Sequence, residues 1–199
     1  MSNPDFINQG LEQARYALTN IIGMTNAQLQ PKTLPRSLKQ RASGRLSQLE
    51  TIVRRLLYLM ALMLGLPELK TPRQADPRQL PEGTEIVSFP TQRRFALSAK
   101  KVAVAADALP QQMPFRDGQP VPAAPFLARI AALYRVLKDP DAHAKRLAHA
   151  IARQREKGEP APHVLPLASA FRLRPELGIL SAALPGMIRA RLQDAWNTS

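Results

Sequence analysis

The sequence predicts a mainly α-helical protein in three parts. These are an N-terminal antiparallel helical hairpin (1–66), a proline-rich connector with little regular structure (67–122) and a C-terminal cluster of short helices (123–199). Three observations carry this reading. Apolar residues recur three and four apart through the first 66 residues, the period of one helix face. Ten of the 19 prolines crowd into residues 67–125, where they favour an extended, semi-rigid chain. Beyond residue 123 the helical spacing returns, interrupted by Pro and Gly.

The first helix is expected over 5–29. Asn3 or Asp5 suits its cap and Pro4 its start. Ile7, Leu11, Ala14, Leu18 and Ile21 form its stripe, while Gly10 and Gly23 each weaken it by about 1 kcal/mol relative to Ala. Pro31 and Pro35 then break it. The second helix is expected over 36–66, about 46 Å long. Leu46, Leu49, Val53, Leu56, Met60 and Met63 form a heptad-like seam. A short Pro-bounded loop between two long helices implies an antiparallel pair with facing stripes.

Leu56–Leu66 is apolar on every side. Its 11 residues fall short of the roughly 20 that a membrane span needs, and Arg54 and Arg55 block its extension. Such a segment has to be buried in the core, in an oligomer seam or shallowly at a lipid surface. Arg54, Arg55, Leu56, Leu59, Met60, Leu62 and Met63 are therefore candidates for contact with a partner or a membrane. The partner would be an unidentified protein, a second copy of the chain or an anionic membrane surface.

Within the connector, Glu85–Phe89 suits an extended segment, and Phe95–Leu109 suits a helix or two short strands. The third helix is expected over 123–138, on Phe126, Ile130, Leu133 and Leu137. Asp139-Pro140-Asp141 reads as the start of a fourth, with Asp139 as cap and Pro140 at the first helical position. Ala144, Leu147, Ala148 and Ile151 make its apolar face and Gly158 its stop. Three short helices complete the chain: Val164–Arg172, Pro175–Leu184 and Gly186–Trp196.

The formal net charge is +13, which favours encounter with polyanions. The chain also has 20 Arg, 29 Ala and 19 Pro, all GC-rich-codon residues, so base composition is a competing source of the charge. The excess sits at the two ends of the chain. Arg41 and Arg45 on the second helix, and Lys145, Arg146, His149 and Arg153 on the fourth, are candidate polyanion contacts. An ordinary solvated helix face has the same look.

Catalytic signals are sparse. The chain has no cysteine, which excludes disulfides, thiolate metal sites and a thiol nucleophile. Asp139, His143 and His149 approach ligand spacing, but Asp139 is better used as a cap, and Lys145, Arg146 and Arg153 would repel a metal. Ser98 and Lys101 match a two-residue acyl-transfer spacing without its companion motifs. No cofactor is implied. Residues 1–10 lack the basic and apolar regions of a secretory signal, so the expected location is cytoplasmic or peripheral to the inner membrane face. The expected function is a non-catalytic interaction or adaptor protein. The alternatives are a nucleic-acid-associated protein that binds phosphates without reading bases, and an enzyme with an unrecognised site.

Overall fold

A computed structural model describes residues 3–68, 94–97, 119–167 and 174–197. The described residues form five helices: α1 (Asn3–Thr25), α2 (Arg36–Met63), α3 (Ala124–Lys138), α4 (Pro140–Glu156) and α5 (Pro175–Asn197). Two short strands, β1 (Thr33–Leu34) and β2 (Val121–Pro122), pair antiparallel. The mainly α fold is the one the sequence predicts, with α1 packed on α2 and the remaining helices following.

The hairpin is antiparallel, because Gly10 near the start of α1 meets Leu56 late in α2, and Met24 near the end of α1 meets Arg45 early in α2. Ile7, Leu11, Ala14, Leu18 and Ile21 are all buried. Gly10 has a packing role: a Cβ there would lie 2.7 Å from Leu56 Cδ2, so its absence lets the two helices approach closely. Asn26, with φ 49°, turns the chain out of α1 in the left-handed region that Asn tolerates.

Helix α2 is the axis of the molecule and packs against α1, α3, α4 and α5. This answers the question raised by its all-apolar half. Leu56, Leu57, Leu59 and Ala61 are fully buried by the chain's own helices. Met60, Leu62, Met63 and Leu66 are partly buried against the same core, and Leu64 and Gly65 are exposed. The core is continuous from α1 to α5, so the hairpin and the C-terminal helices close over one interior.

Helix α4 begins as expected. The Asp139 Oδ1 accepts from the Ala142 N–H at 3.1 Å, and Gly158 follows the helix with φ 66°. Three expectations need correction. The two helices expected over 175–184 and 186–196 are one, α5, which runs through Pro185. Proline in a helix interior costs about 3 kcal/mol, since it cannot donate to the Ser181 carbonyl and crowds the preceding turn. Leu177, Leu180, Leu184, Ile188 and Leu192 lie buried on both sides of it, each contributing about 1.5–3 kcal/mol, so burial outweighs the break.

The second correction is at residues 164–167, which are irregular and not the start of a helix. The third is at residues 94–97, which are also irregular. The rest of the segments expected over Val164–Arg172 and Phe95–Leu109, and those at Glu85–Phe89 and Ser98–Lys101, lie outside the described residues. The last residues of the proline-rich stretch are stitched to the hairpin turn. Thr33 pairs with Pro122 and Leu34 with Val121, the Ala123 N–H donates to the Lys32 carbonyl at 3.0 Å, and Lys39 Nζ donates to the Pro122 carbonyl at 2.9 Å.

Candidate anion-binding cleft

The candidate site is an open cleft of about 750 Å³ between α3, α4 and the 94–97 segment. That volume lies in the range of small-molecule sites, roughly 300–1,000 Å³. Its basic groups are Arg94, Arg135, His143 and Arg146. Its apolar lining is Phe95, Leu97, Ala132, Val136 and Leu147. Among the described residues no carboxylate lines it.

The helices place these side chains through their amphipathic period. On α3, Ala132 and Val136 belong to the buried stripe and Arg135 stands beside them at the solvent edge. On α4, Leu147 is buried, and His143 and Arg146 sit one turn before and one residue before it, on the edge of the same face. Burial first, and then the Arg146 guanidinium, hold the His143 imidazole below its ordinary pKa, while the Asp139 carboxylate pulls the other way. The neutral imidazole is thus favoured in a cleft that is already crowded with positive charge.

The third wall comes from a distant part of the chain and is held by a charge cluster between α2 and α3. Glu50, 8% exposed, accepts from Arg129 through two bonds, Nε to Oε1 at 3.1 Å and Nη2 to Oε2 at 3.0 Å. Arg54 Nη2 also reaches Oε2, at 3.4 Å. Arg54 Nε donates to the Ala96 carbonyl at 3.1 Å, and its guanidinium lies 4.6 Å from the centre of the Phe95 ring. Arg54 therefore ties the cleft wall to α2 with one bond and one stacking contact.

The structure divides the residues singled out from the sequence. Of the expected partner or membrane contacts, Arg55, Leu56 and Leu59 are fully buried, so they are corrected from contact residues to core residues. The physical reason is that α1, α3, α4 and α5 all pack against α2. Met60, Leu62 and Met63 are partly buried, and Arg54 serves the cleft wall. Arg41 and Arg45 are exposed on α2, with Arg45 Nη1 3.5 Å from Met24 Sδ. On α4, Lys145, Arg146, His149 and Arg153 are all exposed, and of these Arg146 lines the cleft.

Among the described residues no group of three or more His, Asp or Glu side chains converges as a metal site, and Asp139 is used as a cap. None of the described helices is long and apolar enough to cross a membrane. Arg94, Phe95, Leu97 and Arg135 were missed from the sequence, because only tertiary packing brings them together. Their one local trace is the apolar alternation at Phe95 and Leu97 directly after Arg94, inside a proline-rich stretch.

The chain matches no known protein family, no curated protein and no solved structure. The functional reading therefore rests on the geometry of this cleft.

Proposed function

We propose that this chain is a non-catalytic binding protein that holds an anionic partner at the cleft between α3, α4 and residues 94–97. One observation carries the proposal: the side chains of Arg94, Arg135, His143 and Arg146 line one cavity together with apolar side chains. Arginine forks suit carboxylate and phosphate groups, and their positive field draws such partners in.

The experiment is a thermal-shift panel with pyrophosphate, dodecyl phosphate and a short DNA duplex, on the native chain and on a double variant, Arg135→Glu with Arg146→Glu. A ligand that binds only the folded state raises Tm as its concentration passes Kd. A rise with at least one anion, abolished in the double variant, supports the reading. No rise with any anion, or an equal rise in both proteins, overturns it.

A second reading has its own observation. Lys145, Arg146, His149 and Arg153 are exposed together along α4, the arrangement a polyanion would follow. DNA binding that weakens linearly in a log–log salt plot, and that Lys145→Glu with Arg153→Glu reduces more than Arg135→Glu does, would favour this reading over the cleft.

A further inference from the structure

We propose that Arg55 holds one small inorganic anion, of the size of chloride, inside the fold beneath residues 164–167. The site is separate from the cleft and does not rest on the reading above. Arg55 stands on α2 and is 0% exposed. Its Nη2 donates to the Leu165 carbonyl, while Nε and Nη1 are buried and have no hydrogen-bond partner among the described residues. The neighbouring carboxylate is already engaged, since Glu50 pairs with Arg54 and Arg129. Burial alone lowers the pKa of the Arg55 guanidinium, and no carboxylate opposes it. One turn on, Tyr58 is also 0% exposed and its hydroxyl is unpartnered. Residues three apart are neighbours on a helix surface, so unpartnered donors from both side chains belong to one face of α2.

Other occupants serve these groups less well. A guanidinium keeps its proton in proteins, so the charge persists after burial. Water would serve the donors and leave the charge unbalanced. An organic anion needs an open route, and Arg55 reaches no solvent. Phosphate brings more charge than one guanidinium balances. A small monovalent anion balances the charge and accepts from several donors at once. Its route in is short. Leu165 is 48% exposed, yet its carbonyl accepts from Arg55, so one irregular layer of chain separates the guanidinium from water. Such a layer opens locally more readily than a packed helix.

The test is urea denaturation of the full-length chain as sodium chloride replaces sodium gluconate at constant ionic strength, gluconate being too large for a buried site. Above its Kd, a ligand held only by the folded state raises the folding constant by up to about tenfold for each tenfold rise in concentration. The native chain is expected to show this dependence. Arg55→Met is expected to lack it, while Arg135→Glu with Arg146→Glu, in the cleft, keeps it. In gluconate Arg55→Met is the more stable protein, and rising chloride narrows the difference. Arg55→Lys retains a cation without the planar fork and is expected to need about tenfold more chloride for the same effect. It carries the test by itself where Arg55→Met does not fold, and circular dichroism reports folding of each variant.

A native chain indifferent to chloride overturns the proposal. Dependence retained in Arg55→Met, or unmoved in Arg55→Lys, also overturns it. Equal loss in Arg55→Met and in the cleft variant marks a response to total charge and overturns it as well. Dependence lost in the cleft variant alone assigns the anion to the cleft, which overturns this site and supports the reading above.

Discussion

Glu50 and Arg55 lie close together on α2, and both are withdrawn from water, yet their surroundings are opposite. Glu50 accepts from two arginines, one of them through both carboxylate oxygens. Arg55 is 0% exposed and donates from Nη2 to the Leu165 carbonyl, while its Nε and Nη1 have no partner among the described residues. Tyr58, one turn further along, is also fully buried with an unpartnered hydroxyl, and burial pushes its phenol above the ordinary range. The comparison teaches that a buried charge on one helix is an asset or a liability according to its neighbours. Near Glu50 the groups satisfy one another. Around Arg55 the apolar packing of α2 provides little to offset desolvation.

Mutations at the two places should therefore move stability in opposite directions. Glu50→Ala leaves Arg129 and Arg54 without their shared anion, and a loss of about 3 kcal/mol in urea denaturation is expected. A loss below about 1 kcal/mol would break the comparison, since the cluster would then behave as an exposed ion pair. Arg55→Met keeps an unbranched apolar stem and removes the unpaired charge. A gain of about 1–2 kcal/mol is expected, and a loss of similar size would show that the guanidinium is better satisfied than its neighbours suggest. Tyr58→Phe deletes one unpaired buried hydroxyl and should raise stability by about 1 kcal/mol, read from the same denaturation curves.

The smallest effect belongs to His143, where burial and Arg146 disfavour the charged form. The folded chain binds this proton less readily than the unfolded chain does. Its contribution to stability is therefore complete above the ordinary histidine value of 6.5 and is lost as pH falls from there through the lower folded value. Urea midpoints at pH 7.5 and 5.5 should differ more for the native chain than for His143→Gln. An equal difference would remove His143 from this comparison.

Much of the fold was legible because it is written in local spacing. The stripe from Ile7 to Ile21, the seam from Leu46 to Leu56 and the Asp139-Pro140 start each state their structure within a few turns of chain. Pro185 misled because a local rule was overridden by the burial of Leu184 and Ile188 around it. Gly10 was counted only as a cost to its helix, because the Leu56 side chain that needs the space comes from a different helix. The cleft was the least legible. Arg146 was marked by the basic face of α4, but Arg94, Phe95 and Arg135 meet it only through tertiary packing, and the Arg54 link to Ala96 has no sequence signature.

The central place of α2 also bears on how the protein is made. Translation delivers α2 early and α5 last among the described helices, yet Leu180, Leu184 and Ile188 of α5 belong to the same core as Leu56, Leu57 and Leu59 of α2. On the ribosome α1 alone is available to cover α2, while the surface that α3, α4 and α5 cover waits for sequence still being synthesised. Ordering the interior thus depends on contacts distant along the chain, which form slowly. For that interval the run of leucines after Arg55 is exposed apolar surface, the kind from which aggregation starts.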